Sequence, residues 1–222
     1  VGRRFRTFTT STRVEGSRIR PRARPARVST RSSRSRAGRR RLASTAVSGT
    51  PANAGQASAN PGQVVLVRGT GLSLTTDLVA RYRNDAGTLV VDGLKPFYVN
   101  ATGTEAQVQV PSQYNGAFAL NVVGSSFAPL LQIVPVVTVL DPTGTTNTTI
   151  HGFGFTEGNG TLYQWAGGSL TDVAVTSTTV DVFSSATRVN VTLPVHGFGT
   201  FTMTTPGGTS APLALNQLNV GE

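Results

Sequence analysis

The chain has 222 residues, enough for one or two domains, and contains no cysteine, which excludes disulfides and thiol-based metal or catalytic sites. No apolar run approaches the roughly 20 residues that span a bilayer, so no membrane span is expected. The formal charge of +10 is the sum over two segments of opposite net charge. Residues 1–42 hold 15 basic residues and one acid, Glu15, whereas five basic and nine acidic residues follow, so the segments carry +14 and −4.

The first 43 residues are predicted to form an arm that is disordered on its own. Arginine recurs among Ser, Thr, Pro and Gly, and the few apolar residues show no period, so the arm repels itself and can bury little surface. The arginines expected to bind a polyanion or an acidic partner are Arg18, Arg20, Arg22, Arg24, Arg27, Arg31, Arg34, Arg36, Arg39, Arg40 and Arg41.

Four interpretations of this arm stay open. It binds the phosphates of nucleic acid, docks on an acidic protein surface such as the repeats of a neighbouring copy, acts as an organelle transit segment, or is a solvated tail without a specific ligand. No aromatic residue lies between Phe8 and Tyr82, so the arm lacks side chains on which bases stack. Any nucleic-acid binding through residues 1–43 is therefore expected to be independent of base sequence.

Residues 44–60 are small and polar and are predicted to form a flexible linker. Beyond them the same pattern occurs twice, at a constant offset of 83 residues and without a gap. Val108–Pro111 matches Val191–Pro194 at this offset, and Tyr82 matches Trp165. A repeat of this kind indicates two copies of one folding unit, which we expect at residues 61–135 and 136–222.

Each repeat is predicted to be a small antiparallel β-sandwich of about seven short strands. No segment shows sustained helical spacing, and Gly, Thr and β-branched residues are frequent. Alternation in one predicted strand places Val108 and Val110 on one side and Gln107 and Gln109 on the other. The fold class is therefore predicted to be all-β, with two tandem immunoglobulin-like antiparallel β-sandwiches preceded by the disordered Arg-rich arm. The short apolar link at Val134–Val137 is expected to limit bending between them.

Each repeat has a strand leading into Gly-x-Gly and an aliphatic or aromatic residue, then Val-x-Val-Pro or Val-x-Leu-Pro, then a glycine before an alternating strand. This order resembles the IPT/TIG family of immunoglobulin-like domains over residues 61–222. The resemblance implies turn and edge roles, with no chemistry, for Gly69, Gly71, Pro111, Gly116, Gly152, Gly154, Pro194 and Gly199.

Domains of this family occur in tandem in bacterial surface and adhesive proteins, in cell-surface receptors and in a class of transcription factors. The chain shows no match to the DNA-contacting loop of those factors, and its repeat region is acidic. The sandwiches themselves are therefore not expected to recognise DNA.

No catalytic, cofactor or metal site is predicted. His151 and His196 each precede Gly-Phe-Gly, but they break the repeat register, and no His-x-His or His-Glu-x-x-His spacing adds further ligands. Four carboxylates are scattered in the sequence without an Asp-x-Asp-x-Asp run and are expected to serve solubility, with a calcium site between the domains near Asp141 as the alternative: Asp141, Glu157, Asp172 and Asp181. Glycosylation sequons begin at Asn100, Asn147, Asn159 and Asn190, a number close to what composition alone produces.

These features predict a non-enzymatic structural or binding protein of an extracellular or surface assembly. Its tandem sandwiches would act as a rigid spacer and contact surface, and its arm would dock on an acidic partner. The expected partners are other protein subunits, and no cofactor is expected. The alternative is a virion or coat protein whose arm binds packaged nucleic acid while the β-domains build the shell. Against it, coat domains are often single jelly rolls, which this duplication is not.

Overall fold

The part of the chain that the structure describes is all-β. The structure is a computed structural model, and it describes residues 41–126, 128–142, 147–174, 176, 180–192 and 199–215. The described residues belong to one compact unit. The described residues form strands, turns and loops, and none of them lies in a helix that could cross a membrane.

The described residues contain nineteen strands, most of them short. In chain order they are β1 (Arg41–Leu42), β2 (Thr50–Pro51), β3 (Ala57–Ala59), β4 (Val64–Arg68), β5 (Leu78–Arg83), β6 (Leu89–Leu94), β7 (Tyr98–Val99), β8 (Glu105–Gln109), β9 (Ala117–Val122), β10 (Leu130–Ile133), β11 (Val136–Pro142), β12 (Asn147–Phe153), β13 (Thr161–Trp165), β14 (Gly168–Asp172), β15 (Val180–Phe183), β16 (Arg188–Thr192), β17 (Gly199–Thr205), β18 (Gly208–Thr209) and β19 (Leu213–Leu215).

These strands form two immunoglobulin-like sandwiches. The first sandwich has a four-stranded sheet, β1-β4-β8-β7, and a five-stranded sheet, β3-β10-β9-β5-β6. The second sandwich has the sheet β11-β12-β16-β15 and the sheet β14-β13-β17-β18-β2, with β19 also paired to β17. The recorded pairings are antiparallel except for β3 with β10, which is parallel. The prediction of an all-β fold with two antiparallel sandwiches is therefore confirmed.

Each sandwich has its own hydrophobic core, as strand alternation requires. In β5, Leu78, Ala80 and Tyr82 are buried, whereas Arg81 and Arg83 point outward and are exposed. The first core centres on three aromatic rings, with centroids 4.4 Å apart for Tyr82–Tyr114 and 5.3 Å apart for Tyr114–Phe118. Each buried ring contributes about 1.5–3 kcal/mol relative to an exposed one. The largest buried side chains of the second core are Ile150, Phe155, Tyr163, Phe201 and Met203.

The strand bounds follow the 83-residue offset closely. The offset carries β4 onto β12, β5 onto β13 and β8 onto β16, each at the first residue of the strand. The predicted faces of β8 are confirmed, since Val108 and Val110 are buried and Gln109 is exposed. The offset does not hold around the hairpin after β13. There a two-residue turn, Ala166–Gly167, replaces the five residues that separate β5 from β6.

The prediction that residues 44–60 form a flexible linker is wrong. Within this segment, β2 pairs with β18 of the second sandwich and β3 pairs with β10 of the first. Side-chain amides close the connecting loop: Asn60 Nδ2 donates to Ser48 O (2.9 Å) and Val134 O (3.0 Å), and Gln132 bonds both the N–H and the carbonyl of Asn53. Small polar residues are typical of flexible linkers, but they also fit an edge strand that packs closely against its neighbour. The domain limits at residues 43, 60 and 135 remain predictions.

Candidate functional site

Of the arginines predicted to bind a polyanion, only Arg41 lies within the described residues. It is in the edge strand β1, where its Cα partner on β4 is Arg68. Arg68 Nε is 3.1 Å from Glu105 Oε2, so a carboxylate is already engaged beside Arg41. The other ten, from Arg18 to Arg40, lie outside the described residues, and their binding role remains a prediction.

The glycines singled out by the repeat mostly occupy turns. Gly71, Gly116, Gly154 and Gly199 have φ values of 69°, 62°, 77° and 108°, in the region that favours glycine. Gly152 has a different constraint, since a Cβ there would lie 1.9 Å from the carbonyl oxygen of Val136. Gly69 donates its N–H to Thr104 O. Pro111 directly follows Val110 at the end of the Val-x-Val-Pro motif, and Pro194 lies outside the described residues.

The two sandwiches meet at a tight junction. Besides the β2–β18 pair, the turn before β18 packs against the first sandwich, and a Cβ at Gly207 would lie 2.0 Å from Ile133 O and 2.6 Å from Gly116 O. On the other side, Ser185 N donates to Asp85 Oδ2 over 2.9 Å. The repeat pattern does not predict this junction, because its contacts lie in turns and in the segment before the first repeat.

A cavity of about 200 Å³ opens at this junction, and we call it the junction cleft. The first sandwich lines it with the outward face of β5 and β6 and with the turn before β9. Loops of the second sandwich close the opposite side. Its lining includes Arg81, Arg83, Leu89, Asn115, Ala117, Thr156, Asn159 and Pro206.

The junction cleft is cationic in an otherwise acidic part of the chain. Arg81 and Arg83 are two of the five basic residues that follow residue 42, and both are exposed on β5. Arg83 Nη1 donates to the carbonyl of Gly87 (2.6 Å), which leaves most guanidinium donors of the pair without a recorded partner. The alternation of β5 predicts that these arginines face outward, but only the folded structure places them beside the second sandwich.

Two buried polar atoms in residues that line the cleft lack hydrogen-bond partners. They are Asn115 Nδ2 in the first sandwich and Thr156 Oγ1 in the second, and their residues are only 3% and 4% exposed. A buried polar group without a partner costs about 1–3 kcal/mol, so such atoms occur at few positions in a folded protein. The cleft therefore combines free cations with unsatisfied neutral polar groups.

A buried carboxyl pair lies next to the loop that supplies Thr156 and Asn159. Asp172 Oδ2 accepts the N–H of Gly158 over 2.6 Å, and Glu157 Oε2 accepts the N–H of Val182. The remaining oxygens, Glu157 Oε1 and Asp172 Oδ1, have no other partner, and the two carboxyl groups contact each other. A proton shared between them satisfies both oxygens.

Burial is the largest cause that raises the pKa of Glu157 to about 7. The N–H of Val182 lowers this pKa in part, and the negative charge of Asp172 contributes to raising it. Burial also raises the pKa of Asp172, although the N–H of Gly158 lowers it in part. The expected role in solubility is therefore wrong for these two buried residues. The hairpin of β13 and β14 returns the chain and brings them together, and sequence spacing alone does not reveal this contact.

The histidines and the remaining acids form no cation site among the described residues. His151 Nε2 lies 4.0 Å from Asp141 Oδ2, which is one contact at the limit of an ion pair. His196 lies outside the described residues. Asp181 is exposed on β15, and glycosylation at the four sequons remains a prediction.

No protein-family model and no curated protein matches the chain. Similar solved structures include a complex with a xylogluco-oligosaccharide (18% identity, TM-score 0.31, covering 70% of this chain and 36% of that one). Another is SGBP-B from a complex xyloglucan utilization locus in Bacteroides uniformis (19%, 0.30, 78% and 47%). A third is the tetra-tandem repeat in the extending region of a large adhesion protein (14%, 0.21, 70% and 46%).

The chain spans less than half the length of each of these three structures. Similarity at these values transfers no ligand and no site residue to this chain. The fold is immunoglobulin-like, and membership of the IPT/TIG family within it remains a prediction.

Proposed function

We propose that this chain is a non-enzymatic structural and binding protein of an extracellular or surface assembly. The two sandwiches act together as a rigid spacer and contact surface, and the Arg-rich arm docks on an acidic partner. The partner belongs to the same assembly, as another subunit or another acidic surface.

The observation that carries the proposal is the way residues 44–60 connect the sandwiches. A chain that crosses from β1 to β2 and back to β3 ties both sandwiches into one unit through backbone hydrogen bonds. Hinged domains are usually connected by segments with few contacts, and here the segment is itself part of two sheets. A fixed pair of sandwiches is suited to holding a partner at a set distance and orientation.

The charge distribution supports the role of the arm. Residues 1–42 carry +14 and residues 43–222 carry −4, so a polyanion or an acidic surface is attracted to one end of the sequence. An acidic neighbouring copy is one such surface. Packaged nucleic acid is another, and the clustering of arginine at one terminus of a β-rich chain is what favours the virion alternative.

The test compares the full chain with a variant that lacks residues 1–40. The cut is placed before Arg41 because β1 pairs with β4 and Leu42 packs against the first core, so a cut after residue 43 would also remove a strand. Binding of a fluorescent RNA and of a heparin-like polyanion is measured across a salt series. Sedimentation velocity of both proteins reports self-association.

We expect the full chain to bind polyanions with a steep loss of affinity as salt rises, and the shortened chain to lose this binding. Equal affinity for the two polyanions at matched charge supports docking on a general acidic surface, and arm-dependent self-association identifies a neighbouring copy. RNA bound at least about tenfold more tightly would replace the proposal with the virion alternative. No arm-dependent binding or association at low salt would contradict both.

A further inference from the structure

The junction cleft contains two arginines without an acidic partner. The ion pairs among the described residues use Arg68, Lys95 and His151, and neither Arg81 nor Arg83 takes part in one. Both lie on the outward face of β5, two residues apart, so their guanidinium groups leave the same face of the sheet. Paired guanidinium donors match the oxygens of a carboxylate in a fixed, bidentate geometry. The unpaired arginines therefore indicate an anionic ligand.

Neutral polar groups in the cleft indicate a second chemical property of the ligand. Asn115 and Thr156 reach the cleft from opposite sandwiches, and each has a buried side-chain atom without a partner. Asn159 adds an exposed side-chain amide, held at a φ of 61° in the loop after Phe155. Amide and hydroxyl groups on both sides of a cleft suit a ligand that carries several hydroxyl groups, because each hydroxyl both donates and accepts.

The walls and volume of the cleft limit the ligand further. Leu89, Ala117 and Pro206 provide short aliphatic surfaces, and Leu89 is 60% exposed. The ring of Tyr82 packs 4.4 Å from that of Tyr114, inside the core, and so offers no stacking face to a ligand. A nucleobase would therefore lack an aromatic side chain on which to stack. The volume of about 200 Å³ lies below the usual range for drug-sized ligands, so the occupant is compact.

We propose that the junction cleft binds a sugar acid, a compact hydroxylated ring that carries a carboxylate. Arg81 and Arg83 hold the carboxylate, and Asn115, Thr156 and Asn159 bind ring hydroxyls. Leu89 and the other aliphatic residues contact the C–H face of the ring. The same chemistry is presented by a free uronic acid and by a uronate residue within a polysaccharide. Because the site lies between the sandwiches, this inference stands independently of the arm.

The test uses the full chain in about 150 mM salt, where exposed charge interactions are screened beyond roughly 8 Å. Amide and arginine side-chain NMR signals are followed while glucuronate or galacturonate is added to about 10 mM, a range that detects weak binding. Neutral glucose and hydroxyl-free glutarate are titrated in parallel. We expect saturable shifts of Asn115, Thr156 and Asn159 signals with the sugar acids, and affinities at least about tenfold lower for both controls.

Three variants test the assignment. Arg81→Gln should weaken uronate binding about tenfold or more, since a charge-assisted contact is lost. Arg188→Gln, which removes the same charge from an exposed position on β16, should leave the affinity unchanged. Thr156→Val removes the unpaired hydroxyl, so it should raise the melting temperature of the free protein while weakening uronate binding several-fold. A variant that merely unfolds the site cannot raise the melting temperature.

Binding of a uronate oligomer distinguishes the two sources of the sugar acid. A uronate oligomer that binds more tightly than the monomer, with the gain lost in Arg81→Gln, assigns the polysaccharide source, and equal affinity assigns the free acid. The proposal is overturned if cleft signals do not move, if glutarate or glucose binds as well as the uronates, or if Arg188→Gln weakens binding as much as Arg81→Gln. Because every variant retains the arm, failure here leaves the proposed function untouched.

Discussion

At the scale of single residues, the buried carboxyl pair determines how the second sandwich responds to pH. Glu157 is 6% exposed and Asp172 is 1% exposed, and neither has a basic partner among the recorded ion pairs of the described residues. Two ionised carboxylates in contact repel each other, so the folded state holds a proton that an exposed pair would release. Glu157 holds this proton, because its pKa rises from 4.5 to about 7.

The raised pKa predicts that stability falls as pH rises. Between pH 4.5 and about 7 the folded protein binds a proton at Glu157 that the unfolded chain does not, so this contribution is complete below that window and lost above it. Glu157→Gln keeps the acceptor for the N–H of Val182 and supplies a permanent donor to Asp172. We expect the variant to match the wild type near pH 5 and to unfold with a free energy about 2 kcal/mol higher at pH 8.

Urea titrations at the two pH values measure this difference. Asp77→Asn is the matched control, since Asp77 is exposed in the first sandwich and is not among the charges that raise the pKa of Glu157. The control should shift stability equally at both pH values. If Glu157→Gln also gave equal shifts at pH 5 and pH 8, the shared proton would be ruled out.

At the scale of elements, the turn before β18 packs closely against the first sandwich at the junction. Gly207 lies against two backbone carbonyl oxygens of the first sandwich, Ile133 O and Gly116 O, and neither can move as a flexible side chain does. Its carbonyl also accepts the N–H of Ala52 over 3.3 Å, which ties the turn to the segment that carries β2. Close approach of backbones is the reason for glycine here, since its φ is not in the positive region.

Gly207→Ala is therefore expected to separate the junction. The added methyl group cannot be accommodated without a backbone shift, and overpacking of this kind lowers the free energy of unfolding by about 1–3 kcal/mol. Amide hydrogen exchange should show lost protection at Ala52. Gly93→Ala is the control, because no atom lies within 4 Å of its Cβ position, and its effect should stay within about 0.5 kcal/mol. Equal effects of the two substitutions would contradict the packing argument.

Local pattern predicted most of the elements but little of the site. Alternation and β-branched residues identified β5 and β8, and the 83-residue offset carried them onto β13 and β16. Those signals depend on neighbours in sequence. The prediction of a linker at residues 44–60 was wrong because this segment is stabilised by distant partners, such as Gln132 bonding to Asn53, rather than by a hydrophobic period. Sequence neighbours also do not predict the carboxyl pair, which the hairpin of β13 and β14 brings together. They do not predict the cleft either, because its residues meet only after both sandwiches are in place.

At the scale of the whole molecule, the junction should make the two sandwiches move as one body. The direct link between them is short, with only Val134 and Pro135 between β10 and β11, and β2 adds a second connection. Because the chain has no cysteine, two introduced thiols can be spin-labelled without any background label. Val123 and Val173 are 59% and 77% exposed, one in each sandwich, so labels there leave both cores intact.

The distance between labels at Val123→Cys and Val173→Cys is expected to give one narrow distribution in pulsed electron spin resonance. A rigid pair samples one relative orientation, whereas sandwiches joined by the short link alone would sample several. Adding Gly207→Ala should broaden the distribution, and adding Gly93→Ala should not. A broad distribution in the otherwise unaltered protein would contradict the rigid pair. It would also remove the basis for a fixed cleft, since the arginines and Thr156 come from different sandwiches and need a constant separation to bind one ligand.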